Sequence, residues 1–215
     1  KRNRQRVMAV TLTSAAILSI MGVLLSFALS ARIEAEKRRD VAEEQIEFML
    51  TDLKDDVESV GRIEILDSVV RRAEDYYQTF TPSLRNPKAF QRLSKANLSL
   101  GEIALEYGRL TEPKPLGRSA QVYFGDAYTQ AQQLYDKDSN NPEYVFGLAQ
   151  AAFWQGQLNF SQSTKETAFK YLTQYQTLSD RLNQLKPNTL EARRERLNAQ
   201  TNLVAWNLYF GSGPS

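Results

Sequence analysis

Few side chains capable of catalysis are available, because the 215 residues include no cysteine and no histidine. A Cys/His zinc site, a cysteine nucleophile and a Ser-His-Asp triad are therefore excluded. A carboxylate-only metal site or a glycosidase pair remains open, but a glycosidase needs two acids across a cleft, and no pair here stands in an apolar setting. We therefore predict that the chain is not an enzyme and that it has no cofactor.

Amide and aromatic side chains recur at helical positions in the second half of the chain, and these suit the binding of a protein. On a concave helical surface, such residues hold an extended peptide or a helix of a partner, with Trp and Tyr as favoured anchors. For Trp154 and Trp206, the alternative is that the side chain is buried in the core between paired helices. The predicted groove residues are Asn97, Glu102, Tyr107, Gln150, Phe153, Trp154, Gln157, Asn198, Asn202 and Trp206.

Charge is nearly balanced, with 27 basic and 25 acidic residues and a net charge of +2. This balance gives no reason to expect nucleic-acid binding. The C-terminal half carries a group of basic residues that includes Arg193, Arg194 and Arg196, diluted by Glu191 and Glu195. This pattern favours a solvated helix surface over a phosphate site.

The N-terminus has the pattern of a membrane anchor. A basic flank (residues 1–6) precedes an uncharged stretch (7–31) of 25 residues. About 20 apolar residues suffice to cross a bilayer as a helix. A cleaved signal peptide is the alternative, but its apolar region is typically only about 7–15 residues long. We therefore predict a single membrane-spanning helix in contact with lipid.

Small residues recur every three or four positions along this span, which places them on one helical face. Such a face allows close approach of another membrane helix, from a second copy or from a foreign protein. The denser basic cluster lies before the span, which favours a cytoplasmic N-terminus and, in a bacterial inner membrane, a periplasmic C-terminal domain. The predicted helix-packing residues are Thr11, Ala15, Ser19, Gly22, Ser26 and Ser30.

Residues 32–82 have the pattern of two charged amphipathic helices. Ala42, Ile46 and Leu50 belong to the apolar side of the first helix, and Val69 and Tyr77 to that of the second. No helix breaker separates the apolar span from the first of these helices, so the two are expected to be continuous. The segment is predicted to form a stalk and hairpin that lead into the main domain, with Gly61 as the C-cap between the helices.

Between residues 83 and 210 the sequence matches itself at a spacing of 48. The matched pairs are Gly101 and Ala149, Ala104 and Ala152, Gly108 and Gly156, Ala120 and Ala168, Phe124 and Leu172, and Ala127 and Tyr175. A fixed period of this length indicates stacked helical hairpins. Small residues at the contact points allow paired helices to approach closely.

Within each unit, this order of small and large residues resembles the tetratricopeptide repeat. Tyr175 departs from the final small position, and the unit is longer than the family's usual 34 residues. We expect both turns between helices to be extended equally, and Pro142 and Pro187 to lie in the first turns of the helices that follow. The resemblance implies an all-α fold in which an antiparallel solenoid of helical hairpins follows the membrane helix. Residues 211–215 have the composition of a linker-like tail.

The order of basic segment, span, charged helix and helical repeats also resembles C-terminal regions of bacterial membrane signalling and effector proteins. Two functions follow as expectations. The first is a membrane-anchored scaffold or sensor subunit that recruits a protein partner through its repeats. The alternative is the anchor and sensor portion of a larger signalling or defence effector, whose catalytic domain lies outside this chain.

Overall fold

The computed structural model describes residues 2–59, 63–79, 86–106 and 118–211; side chains are described from Ser14 onward, except those of residues 15, 16, 51–59 and 63–67. The described residues form helices and no strand, which confirms the all-α prediction. The helices are α1 (Arg2–Ser59), α2 (Ile63–Thr79), α3 (Pro87–Glu106), α4 (Ala120–Lys137), α5 (Pro142–Ser161), α6 (Lys165–Leu185) and α7 (Leu190–Phe210). The predicted C-cap Gly61 lies outside the described residues.

The first compact unit, residues 1–44, is the N-terminal part of α1. Its large apolar side chains that the structure describes are exposed, among them Leu18, Met21 and Phe27. In the described part of the chain, the Ile17–Leu50 region of α1 is the one helix long and apolar enough to cross a membrane. Beyond the apolar stretch, Arg38 forms a 3.1 Å ion pair with Glu34, one helical turn away.

The second compact unit, residues 45–215, contains the helical hairpins. Each helix from α3 to α7 packs against the next in sequence, and α3 also contacts α5. Ile46 and Leu50 of α1 share a core cluster with Val69 and Tyr77 of α2, as their apolar spacing predicts. The same cluster includes side chains of α3 and α4, so α2 is joined to the hairpins through apolar contacts.

Side-chain caps begin α4, α5 and α7, and Ser119 provides the cap of α4. Asn141 caps α5 and Pro142 occupies its first turn, as predicted. Pro187, however, lies before α7, which begins at Leu190. Thr189 provides the cap, since its hydroxyl accepts a hydrogen bond from the backbone N–H of Ala192 at 3.3 Å.

The 48-residue spacing holds for the second helix of each hairpin but not for the first. Phe124 and Leu172 occupy equivalent places, and each closes on a glycine of the preceding helix. Those glycines are Gly101 and Gly156, which are 55 residues apart. The sequence match had paired Gly101 with Ala149, seven residues earlier. Seven residues make two helical turns, so Ala149 and Gly156 lie on the same face of α5. The sequence alone therefore does not show which of these two small residues is equivalent to Gly101.

The prediction of equally extended turns concerns, in the first unit, residues 107–117, which lie outside the described part of the chain. In the second unit, three residues separate α5 from α6. The second helices of the two hairpins end at Lys137 and Leu185.

Candidate functional site

A cleft of about 510 Å³ lies between α5 and α7 and is floored by a side chain of α6. Its lining combines carboxamides, two aromatic rings, one arginine and one carboxylate. We call it the α5–α7 cleft, and its residues are Gln150, Phe153, Gln157, Tyr175, Arg194, Glu195, Asn198 and Asn202.

Two hydrogen-bonded pairs connect the walls of the α5–α7 cleft. Gln150 Nε2 donates to Glu195 Oε2 at 2.6 Å. Two turns farther along both helices, Gln157 Nε2 donates to Asn202 Oδ1. Asn202 Nδ2 in turn donates to the backbone carbonyl of Asn198 at 2.8 Å. The amide groups of the cleft are therefore held in defined orientations by one another.

Glu195 is the electrostatic centre of the cleft. It is buried, with 3% of its surface exposed, and also accepts a 2.6 Å hydrogen bond from the hydroxyl of Tyr175. Burial raises the pKa of the Tyr175 hydroxyl far above its ordinary value, and the hydrogen bond to Glu195 raises it further. The hydroxyl thus stays protonated and donates to the carboxylate, as does the Gln150 amide.

The α5–α7 cleft brings together half of the residues predicted for a groove. Gln150, Phe153, Gln157, Asn198 and Asn202 all line it. Sequence reasoning missed Tyr175, Arg194 and Glu195 as cleft residues. Glu195 was expected on a solvated surface because charged residues surround it, but it faces inward toward Tyr175. The sequence does indicate this burial through spacing. Glu195 lies three to four residues from the buried Ala192 and Ala199, which places all three on one face of α7.

Asn97 and Trp154 belong to other contacts. Asn97 is buried and donates to Gln130 Oε1 at 3.1 Å, while accepting from Arg118 at 3.2 Å. Trp154 is partly buried, and its ring stacks on Phe124 with the ring centres 5.2 Å apart. Asn97 therefore helps to join α3 to α4 within the first hairpin, and Trp154 joins α5 to α4.

Trp206 lies in the core, the alternative that the sequence left open. The side chain is fully buried, so it does not line the groove surface as predicted. Its indole N–H donates to the backbone carbonyl of Lys165 at 3.2 Å, and its ring packs on Phe169. Glu102 is partly exposed on α3, and Tyr107 lies outside the described residues.

Part of the small-residue stripe on α1 can also be located. Ser19, Gly22, Ser26 and Ser30 share a shallow depression of about 400 Å³ with Val23 and Phe27. These four small residues therefore lie on one helical face. Thr11 and Ala15 belong to the same helix, and their side chains lie outside the described part.

Comparison with protein-family models, characterised proteins and solved structures finds no match to this chain.

Proposed function

We propose that this protein is a membrane-anchored interaction module that recruits a protein partner and catalyses no reaction itself. The hairpins act as tetratricopeptide-like repeats, and the partner segment binds in the α5–α7 cleft as an extended peptide. The proposed location is a bacterial inner membrane, with the hairpins in the periplasm. The observation that carries the proposal is the convergence of carboxamides from two helices on one open cleft.

The orientation of these amides suits a peptide backbone. Gln150 donates its NH₂ group to Glu195, and this hydrogen bond directs the amide oxygen of Gln150 elsewhere. That oxygen can accept from a peptide N–H. Gln157 uses one of its two N–H groups on Asn202, and its second can donate to a peptide carbonyl. Neighbouring donors and acceptors of this kind match the alternating groups of an extended chain.

The remaining lining residues supply apolar contact and one charge. Phe153 and Tyr175 lie with their ring centres 5.3 Å apart, which gives the floor an aromatic surface. Arg194 is largely exposed at the cleft, and its Nε lies 4.0 Å from Oε1 of Glu195. Glu195 is buried and also accepts hydrogen bonds from Gln150 and Tyr175, so the exposed charge at the cleft is that of the arginine. An exposed arginine favours a partner segment with an acidic residue.

Position-specific cross-linking tests the proposal on the full chain in native membranes. Asn198→Cys places a thiol on the cleft wall, and Gln133→Cys places one on an exposed part of α4; the chain has no other cysteine. A cysteine-linked photo-cross-linker is expected to capture a partner protein from the first position and not from the second. Equal adducts from both positions, or none from Asn198→Cys, would contradict peptide binding in the cleft.

The affinity of the captured partner gives a second measurement. Replacing Gln157 and Asn202 together by alanine removes a hydrogen-bonded pair and leaves neither group without its partner, so the fold is retained. Loss of the Gln157 hydrogen bond to the peptide, about 1 kcal/mol, weakens binding roughly fivefold. Gln133→Ala is the matched control and should leave the affinity unchanged.

A further inference from the structure

A second polar pocket lies among the first helices of the hairpin unit, apart from the α5–α7 cleft. Its volume is about 220 Å³, below the roughly 300–1,000 Å³ of pockets for drug-sized ligands, so it suits a small metabolite. We call it the α2–α4 pocket, because helices α2, α3 and α4 border it. Its residues are Glu74, Tyr77, Gln78, Leu93, Asn97, Leu100, Arg118 and Gln130.

One acid and one base line the α2–α4 pocket, and the protein holds both in place. Nε of Arg118 lies 3.6 Å from Oε1 of Glu74, and the same oxygen accepts hydrogen bonds from the backbone N–H of Arg118 and the hydroxyl of Tyr123. The guanidinium also donates to Asp126 and to Oδ1 of Asn97, and its Cζ lies 4.6 Å from the ring centre of Tyr123. Side chains held by several contacts keep a defined orientation, which a ligand site requires.

Several polar groups of the pocket retain hydrogen-bonding capacity. All the contacts of Glu74 use Oε1, and its Oε2 accepts no hydrogen bond from the residues that the structure describes. The side chain of Glu74 is only 14% exposed, so water has limited access to this oxygen. Asn97 is buried and donates one N–H to Oε1 of Gln130, which leaves its second N–H and the NH₂ group of Gln130 as donors. The pocket therefore offers one charged acceptor and several donors.

The charges around the α2–α4 pocket are mixed. Within the lining, Glu74 and Arg118 balance each other, and Asp126 contacts the guanidinium from outside it. The other charged side chains on the described parts of α2, α3 and α4 do not line the pocket, and both signs occur among them: Arg71, Arg72, Asp75, Lys88, Arg92, Lys95, Glu102, Glu106, Asp136 and Lys137. A ligand with one charge of each sign matches this setting better than an ion of a single sign.

We propose that the α2–α4 pocket binds a free α-amino acid with an apolar side chain such as that of leucine. The ammonium group of the ligand donates to Oε2 of Glu74. Its carboxylate accepts from the amide N–H groups of Gln130 and Asn97, and its side chain contacts Leu93 and Leu100. The ligand would thus contact α2, α3 and α4 together and stabilise their packing. This site is separate from the α5–α7 cleft, so the proposal stands independently of peptide binding.

Isothermal titration calorimetry of the full chain in detergent tests the ligand class. The probes are L-leucine and two matched analogues: 4-methylpentanoate, which lacks the ammonium group, and 3-methylbutylamine, which lacks the carboxylate. Leucine is expected to bind saturably, with one site per chain. Each analogue should bind at least tenfold more weakly, because it loses one set of charge-assisted hydrogen bonds. No saturable binding of leucine, or an analogue that binds as tightly as leucine, would overturn the proposal.

Two charge substitutions test the placement of the ligand. Gln78→Lys puts a cation one turn from Glu74, where it opposes the ammonium group. Gln130→Glu keeps an acceptor for Asn97 and opposes the carboxylate. Each should weaken leucine binding roughly tenfold. Gln133→Lys and Gln133→Glu add the same charges on an exposed part of α4 and should leave the affinity unchanged.

The analogues separate a direct effect of these substitutions from a change in fold. Gln78→Lys should not weaken 4-methylpentanoate, since that analogue has no ammonium group to repel. Gln130→Glu should likewise not weaken 3-methylbutylamine. Leucine binding that is unchanged in both variants, or equal losses for leucine and both analogues, would refute the placement in the α2–α4 pocket.

Discussion

Replacing Gly101 with alanine is expected to destabilise the hairpins, because the new methyl group has no room. A Cβ atom built at Gly101 lies 2.4 Å from Cε1 and 2.5 Å from Cδ1 of Phe124. Phe124 is fully buried and its ring is stacked on Trp154. The ring is thus held on both sides, and the methyl group must displace either helix α3 or the stack.

The magnitude follows from two opposing contributions. Alanine is favoured over glycine in a helix interior by about 1 kcal/mol. Overpacking a well-filled core costs about 1–3 kcal/mol, and a confined aromatic ring lies at the upper end. We therefore expect Gly101→Ala to lower the free energy of unfolding by about 2 kcal/mol. Gly156→Ala should be less destabilising, because a Cβ atom there lies 2.6 Å from Cδ2 and 2.9 Å from Cγ of Leu172, a buried aliphatic side chain that adapts more easily than a stacked ring.

Gly147→Ala and Gly125→Ala provide matched controls. Both glycines lie within helices, and a Cβ atom at either meets nothing within 4 Å. These variants should gain up to about 1 kcal/mol from helix propensity alone. Urea unfolding of the full chain in detergent, followed by tryptophan fluorescence, measures all four variants. If Gly101→Ala unfolds at the same urea concentration as Gly147→Ala, the close contact between α3 and Phe124 is refuted.

Two further predictions concern titration and orientation. Burial, and then hydrogen bonds to Glu74 and Glu195, raise the pKa values of Tyr123 and Tyr175 above the unfolded value of about 10. The stability they contribute is thus constant below pH 10 and falls above it, by up to about 1.4 kcal/mol per pH unit for each tyrosine. Urea unfolding between pH 8 and 11 checks this, and Tyr175→Phe should reduce the slope. For orientation, a membrane-impermeant maleimide should label Gln133→Cys in intact spheroplasts as fully as after lysis, and labelling only after lysis would place the hairpins in the cytoplasm.

The helices could be predicted from local patterns, because capping, apolar spacing and chain breakers act over a few residues. Asn141 and Pro142 mark the start of α5 in this way. The number of residues between equivalent positions of the two hairpins could not be predicted in this way. A small residue is expected wherever two helices approach closely, and both Ala149 and Gly156 meet that expectation as partners of Gly101. Only the contacts with Phe124 and Leu172 distinguish them.

Part of the candidate site could also be predicted from the sequence, where local helical spacing was sufficient. Gln150, Gln157 and Asn202 were found because amides at helical spacing suggest a shared face. Glu195 was not found, since a glutamate among arginines has the composition of a solvated helix. Its burial depends on Tyr175 and Gln150, which come from other helices and are 20 and 45 residues away.

The two amide pairs across the α5–α7 cleft also determine how α7 docks. Both join residues 45 positions apart, and they lie seven residues apart on each helix. Neighbouring residues differ by about 100° around a helix, so a turn of α7 by one residue about its axis would take both acceptors away from their donors together. The Glu195 carboxylate would then also lose its hydrogen bond from Tyr175. An unpaired buried charge is strongly unfavourable. The two pairs therefore determine which face of α7 meets α5, at two points along the cleft.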